Sequence, residues 1–166
     1  MINVEIDSLT NSIQDRETAL IFETIVSELS ADELKTLKNW QFNWLKESRY
    51  FPIFKLTTVA EPMVIQGLMS IEPQQGFVFM SLIETAPHNF GSQKQYLGVA
   101  GNLVAFACKK SFESGFGGYV SFVSKSQLVE HYKKTLNAEV LYGPRMVIKT
   151  PAATALVRQY FKNFSL

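Results

Sequence analysis

The sequence predicts a mixed α/β domain, and three observations carry that prediction. The run Phe77 to Glu84 is apolar on both alternating faces, Phe77, Phe79 and Ile83 on one and Val78, Met80 and Leu82 on the other, as a strand covered on both sides must be. A glycine-bearing turn, Gln95 to Asn102, then leads into the helical pattern Leu103 to Phe112. A short buried run, Tyr119 to Val123, and a further helical pattern through Tyr132 follow. Strand, turn, helix, strand and helix in that order make a βαβα segment with parallel neighbours.

The remaining elements follow in chain order. Ile2 to Asp7 alternates apolar and acidic residues and Leu20 to Val26 is rich in strand formers, so one or two strands open the chain. Ser30 and Glu33 have the spacing of a capping box, and Leu34, Leu37, Trp40, Trp44 and Leu45 recur at three and four, which predicts a helix over Ala31 to Glu47. Ile53 to Val59 and Met63 to Ile71 read as an antiparallel pair turned at Glu61-Pro62. Gly115 suits the left-handed residue that closes the helix after Phe112. Ser126 is the expected cap of the helix carrying Leu128, Val129, Tyr132 and Leu136. Two strands, Glu139 to Tyr142 and Met146 to Lys149, precede a C-terminal helix begun by Pro151. No repeat, low-complexity tract or linker interrupts the chain, so residues 1–166 read as a single domain.

The 166 residues are 46% hydrophobic and 13% aromatic, enough to bury one core. A net charge of +1 gives no long-range field for nucleic acid or an anionic membrane. Cys108 is the only cysteine, which excludes an intramolecular disulfide and a thiolate metal site, and no metal is expected. The opening MINVEIDSLT is acidic where a signal peptide would be basic, and no apolar run is long enough to span a bilayer, so a soluble cytoplasmic protein is expected.

The stretch Gln95-Tyr96-Leu97-Gly98-Val99-Ala100-Gly101-Asn102 stands where a helix N-terminus offers unpaired amides and partial positive charge, a setting for an anion. No lysine follows the glycines at Walker spacing, and G-x-G-x-x-G is absent, so ATP and dinucleotide loops do not fit. Gln95-x-x-Gly98-x-Ala100 does match the Q/R-x-x-G-x-G/A loop of the GCN5-related N-acetyltransferases, between that fold's fourth strand and the next helix. The chain resembles this superfamily from about Ile53 to Met146. The resemblance implies a central, mostly antiparallel mixed sheet splayed between its fourth and fifth strands and flanked by helices. It further implies acetyl-CoA as the acyl donor, with its pyrophosphate on amides from Tyr96 to Gly101 and its pantetheine along Leu82, Ile83 and Glu84.

Amine acetylation needs a proton removed from an ammonium and, often, one returned to the leaving thiolate. On the resemblance, Glu84 is the candidate base and Tyr132 the candidate acid. Tyr132 is in register with a tyrosine of the family's A-x-x-x-Y-x-x-x-G-F pattern, although Asn137-Ala138 replaces Gly-Phe. A buried strand end at Glu84 and a core tyrosine at Tyr132 are the structural alternatives. His88 reads as a loop histidine that could reach an acceptor, His131 carries little weight, and Cys108 reads as a small buried hydrophobe. Trp40, Phe42, Trp44, Tyr50 and Phe51 gather where the fold shapes its acceptor site.

These readings point to an N-acetyltransferase acting on a primary amine of an unidentified acceptor. The alternative is a non-catalytic or degenerate module of the same fold that binds CoA or a protein. The charge argues against nucleic acid, with tRNA left open as an acceptor because of the pairs Lys109-Lys110 and Lys133-Lys134. A homodimer is also open. The loop Thr85 to Lys94 and the helix Ala152 to Phe161 depart from the family pattern.

Overall fold

The computed structural model describes residues 1–166. In chain order it contains β1 (Ile13–Asp15), β2 (Ile21–Phe22), β3 (Thr24–Glu28), α1 (Ala31–Leu34), α2 (Trp44–Glu47), β4 (Ile53–Thr58), β5 (Gly67–Pro73), β6 (Val78–Thr85), β7 (Tyr96–Leu97), α3 (Val99–Glu113), β8 (Val120–Val123), α4 (Val129–Leu136), β9 (Glu139–Tyr142), β10 (Arg145–Ile148) and α5 (Thr150–Tyr160). Single 3-10 turns occupy Pro87–Asn89 and Ser126–Leu128.

Seven strands form the main sheet in the order β3-β4-β5-β6-β8-β10-β9, and three short ones form a second sheet, β2-β1-β7. Every pair in the main sheet is antiparallel except β6 with β8. That parallel pairing covers only Val78↔Val120, Phe79↔Ser121 and Met80↔Phe122. At Ser81 the register of β6 against β5 shifts, from Ser70↔Leu82 to Ile71↔Met80, leaving one residue extra on β6. A bulge bends its strand, and past it β6 and β8 diverge into a wedge. Ile2 enters the wedge along β8, its N–H donating to Val123 O (2.7 Å) and its carbonyl accepting from Lys125 N (2.9 Å).

α3 lies against β5, β6 and β8 on one side and α5 on the other, and its residues from Val99 to Cys108 are all buried. One apolar cluster joins this helix to Ile2, Ile6, Ile13, Met80, Phe122, Tyr132 and Leu156. A smaller cluster of Leu29, Trp44, Ile53 and Leu68 fills the far face of the sheet. No helix is long and apolar enough to cross a membrane.

The structure corrects the sequence reading at several elements. The helix expected over Ala31 to Glu47 is two single turns; the capping box of Ser30 and Glu33 forms, but Asn39 turns left-handed (φ 67°) and the chain runs irregularly to Asn43, which caps α2. Ile2 to Asp7 is no strand beyond the one bridge at Ile2, and Leu20 to Val26 divides at Glu23 between the two sheets. Strand β5 starts at Gly67, not Met63. Ser126 caps nothing, since its 3-10 turn lacks a side-chain cap and α4 starts at Val129. Gly115 (φ 80°) takes the left-handed conformation expected of it, and Asn137 (φ 54°), which stands where the family pattern has glycine, closes α4 in the same way.

Candidate active site

The wedge opens into a cavity of about 580 Å³. Ile83, Glu84 and Thr85 from β6 form one wall, Asn3, Val4, Glu5 and Asp7 the opposite one, and Tyr96, Val99 and Ala100 the end at the start of α3. Asn39, Gln41, Phe42 and the loop residues Pro87, Asn89, Phe90 and Gly91 make the rim. The irregular segment before α2, the end of β6 and the start of α3 therefore meet at one opening.

The glycines of the loop serve different ends. Gly98, immediately before α3, has φ 87°, a left-handed conformation that a Cβ makes costly, and a Cβ there would collide with Thr10 Oγ1. Gly101 is helical; a Cβ would meet the Tyr160 hydroxyl from α5, so its smallness serves packing of two helices rather than a turn. α3 has no side-chain cap, so no side chain accepts from its first-turn amides. The preceding amides are already engaged: Gln95 N donates to His88 O (2.9 Å), Tyr96 N to Asn89 Oδ1 (3.0 Å) and Gly98 N to Asp7 Oδ1 (3.1 Å). Asn89 is itself fixed by Gln66, to whose carbonyl and Oε1 its Nδ2 donates at 3.1 and 2.9 Å.

Of the other loop residues, Leu97 pairs with Gln14 in the small sheet, and Asn102 is fully buried and accepts from Thr24 Oγ1 (2.8 Å). Ile83 lines the cavity, whereas Leu82 packs with the smaller apolar cluster on the opposite face of β6, as strand alternation requires.

Glu84 lines the cavity but is no free base in this arrangement. Its Oε2 accepts from Gln41 N (2.6 Å), and its Oε1 from Phe42 N (3.1 Å) and Trp44 Nε1 (2.9 Å). The carboxylate thereby supplies the acceptors that a continuous helix would have supplied, and it is what holds the irregular segment before α2 against the sheet. Tyr132 is likewise turned away from the cavity. It is fully buried against Phe122, and its hydroxyl donates to the carbonyl of Val4. Burial pushes its phenol far above the usual range.

His131 Nε2 accepts from Ile6 N (2.8 Å), so its proton resides on Nδ1. His88 Nε2 bonds Gln66 Oε1 (2.8 Å), and partial burial lowers its pKa. Cys108 is fully buried and its thiol pushed far up, consistent with an inert apolar residue. No group of His, Cys, Asp and Glu has the makings of a metal site. The residues that sequence reasoning missed are Asp7, Lys94 and the wall Asn3 to Glu5, because nothing in a local pattern tells that the chain's first residues return to the wedge.

Solved structures share this fold at low sequence identity. A crystal structure of AtaTR bound with acetyl-CoA superposes at a TM-score of 0.55 and 12% identity, over 81% of this chain and 98% of that one. An AtaT–AtaR complex bound to DNA gives 0.58 and 13%, over 80% and 98%. AtaT complexed with acetyl-methionyl-tRNAfMet gives 0.56 and 12%, over 81% and 99%. The fold is that of the GCN5-related N-acetyltransferases. Within this acetyltransferase fold, β3 to β6 are the first four strands, β8 the fifth, and the cavity lies in the splay between the fourth and fifth. No protein-family profile matches the chain, and no curated protein does.

Proposed function

We propose that the chain is an acyltransferase that takes an acetyl group from acetyl-CoA and transfers it to a primary amine. The observation that supports this most is the cavity itself: it runs from the open end of β6 to Val99 and Ala100 at the start of α3, a helix without a side-chain cap. An elongated thioester could lie there with its anionic end at the amides and its acyl end at the rim. Structures of AtaT and AtaTR hold acetyl-CoA in the same fold, which favours that donor. The AtaT complex with acetyl-methionyl-tRNAfMet makes an aminoacyl-tRNA amine one acceptor to test, alongside small-molecule and protein amines. In the reaction the amine nitrogen bonds to the thioester carbonyl, the C–S bond breaks, and the proton lost by the amine balances the one gained by the thiolate.

Glu84 enters this reading as a positioning residue for the rim at Gln41 and Phe42, since both its oxygens are engaged. Binding and orientation carry the chemistry, with proton transfer left to solvent at the rim. A second reading, a binding module without turnover, is favoured by one specific observation: the Tyr132 hydroxyl is spent on Val4 rather than offered to the cavity.

Calorimetric titration with acetyl-CoA tests the proposal, with Thr85→Trp as the control that fills the mouth from a half-buried position. Micromolar binding that the variant weakens at least about tenfold is expected, and thiol release across an amine panel then separates the two readings. Absence of binding by the unaltered protein overturns the acyltransferase reading and leaves only a module that has lost CoA.

A further inference from the structure

The anion position at the start of α3 is already filled, by the chain itself. Asp7 Oδ1 accepts from Gly98 N (3.1 Å) and from Ser8 N (2.7 Å), and Oδ2 pairs with Lys94 Nζ at 3.1 Å. Asp7 and Lys94 both line the cavity, and each side chain keeps about a fifth of its surface in solvent (20% and 23%). The backbone that carries Asp7 is anchored: Ile2 and Ile6 are buried in the core, Ile6 N donates to His131 Nε2, and Thr10 N donates to the Tyr160 hydroxyl at 3.0 Å. The segment therefore stays as a wall, while the Asp7 carboxylate can swing away by rotation about one side-chain bond.

We propose that Asp7 occupies, in the free protein, the place on Gly98 N–H and Lys94 that a ligand's pyrophosphate takes, so that binding exchanges one anion for another. Lys94 is then the cationic partner of the phosphate, a role no motif assigned to it. The inference rests on the acyl-CoA reading above and deepens it. An internal carboxylate on the amide lowers apparent affinity by the fraction of molecules in which it is seated, and the same carboxylate keeps the site charge-balanced when empty. It also discriminates ligands, because a ligand without an anionic group cannot replace it on both donors.

Calorimetry with two probes tests this, acetyl-CoA and the phosphate-free S-acetylpantetheine, on the full chain and on Asp7→Ala and Lys94→Gln. Asp7→Ala is expected to bind acetyl-CoA about tenfold more tightly and Lys94→Gln about tenfold more weakly, with S-acetylpantetheine unchanged in both. Asp7→Asn keeps an acceptor for the Gly98 and Ser8 amides and loses only the charge, so it guards against a folding defect and should show an intermediate gain. Equal or weaker acetyl-CoA binding by Asp7→Ala and Asp7→Asn overturns the exchange while leaving the acyl-CoA reading intact. A gain shared equally by both probes also overturns it, since that would report opened space rather than a vacated anion position. Failure of every protein to bind acetyl-CoA removes the reading and the exchange together.

Discussion

Removing the Glu84 carboxylate would strand the amides of Gln41 and Phe42 and the Trp44 indole N–H, three donors that face it from an otherwise irregular segment. Hydrogen bonds to a charged group contribute about 1.5–3 kcal/mol each and are not additive when they share an acceptor, so Glu84→Ala should cost about 3–5 kcal/mol, read from urea unfolding. Glu84→Gln retains one acceptor and should lose about half as much; equal stability of both variants with the parent would show that the segment is held by Trp44 burial alone. Tyr132 makes the parallel case. Tyr132→Phe leaves the Val4 carbonyl unpaired and should destabilise by about 1–2 kcal/mol. Loss of a general acid lowers turnover by about 10²–10⁴, whereas the observed placement predicts less than about a tenfold loss in thiol-release rate.

At the scale of elements, the start of α3 responds most sharply. Gly98→Ala must force a left-handed backbone on a residue with a Cβ, costing about 1–2 kcal/mol, and must also push Thr10 off its contact. A total loss of about 2–4 kcal/mol in a denaturant midpoint is expected, and Gly101→Ala should lose about 1–3 kcal/mol by displacing Tyr160. The contrast explains what the sequence could disclose. The strand Phe77 to Glu84, the turn at Gly98 and the helices closed at Gly115 and Asn137 were legible because their determinants are local: alternation, a positive φ, a cap. The helix over Ala31 to Glu47 was misread because its periodicity is genuine while the acceptors that undo it come from Glu84, remote in sequence. The second sheet was invisible because its strands are two or three residues long and are defined only by pairing with one another. Of the site, the β6 and α3 walls could be read from the motif, but the third wall is the chain's first residues and emerges only in the folded structure.

The whole molecule is wound around α3, and that burial has a consequence at high pH. Tyr132 and Tyr160 sit in the one large core, both with phenols raised by burial, and Cys108 in the same core has its thiol raised for the same reason. In the unfolded chain the thiol ionises near 9 and the phenols near 10, while in the folded protein burial raises all three, Cys108 and Tyr132 far above those values. Between neutral pH and those values these three groups hold the same protons in both states and add no pH dependence. Above them the unfolded state loses protons that the folded state keeps, so stability falls as pH rises, beginning near 9 through Cys108 and steepening near 10 through the tyrosines. Each group contributes up to about 1.4 kcal/mol per pH unit. Cys108→Ala should delay the onset, Tyr132→Phe should remove up to about one proton from the slope, and Tyr160→Phe should make it shallower, measured as urea midpoints between pH 8 and 11. Tyr160 carries an additional load, because its hydroxyl accepts from Thr10 N and contacts the first turn of α3 at Gly101. Tyr160→Phe should therefore also speed hydrogen exchange at Thr10 relative to the unaltered protein at neutral pH. An unchanged alkaline slope in all three variants would mean that these groups meet solvent in the native state and that the core is looser than its packing indicates.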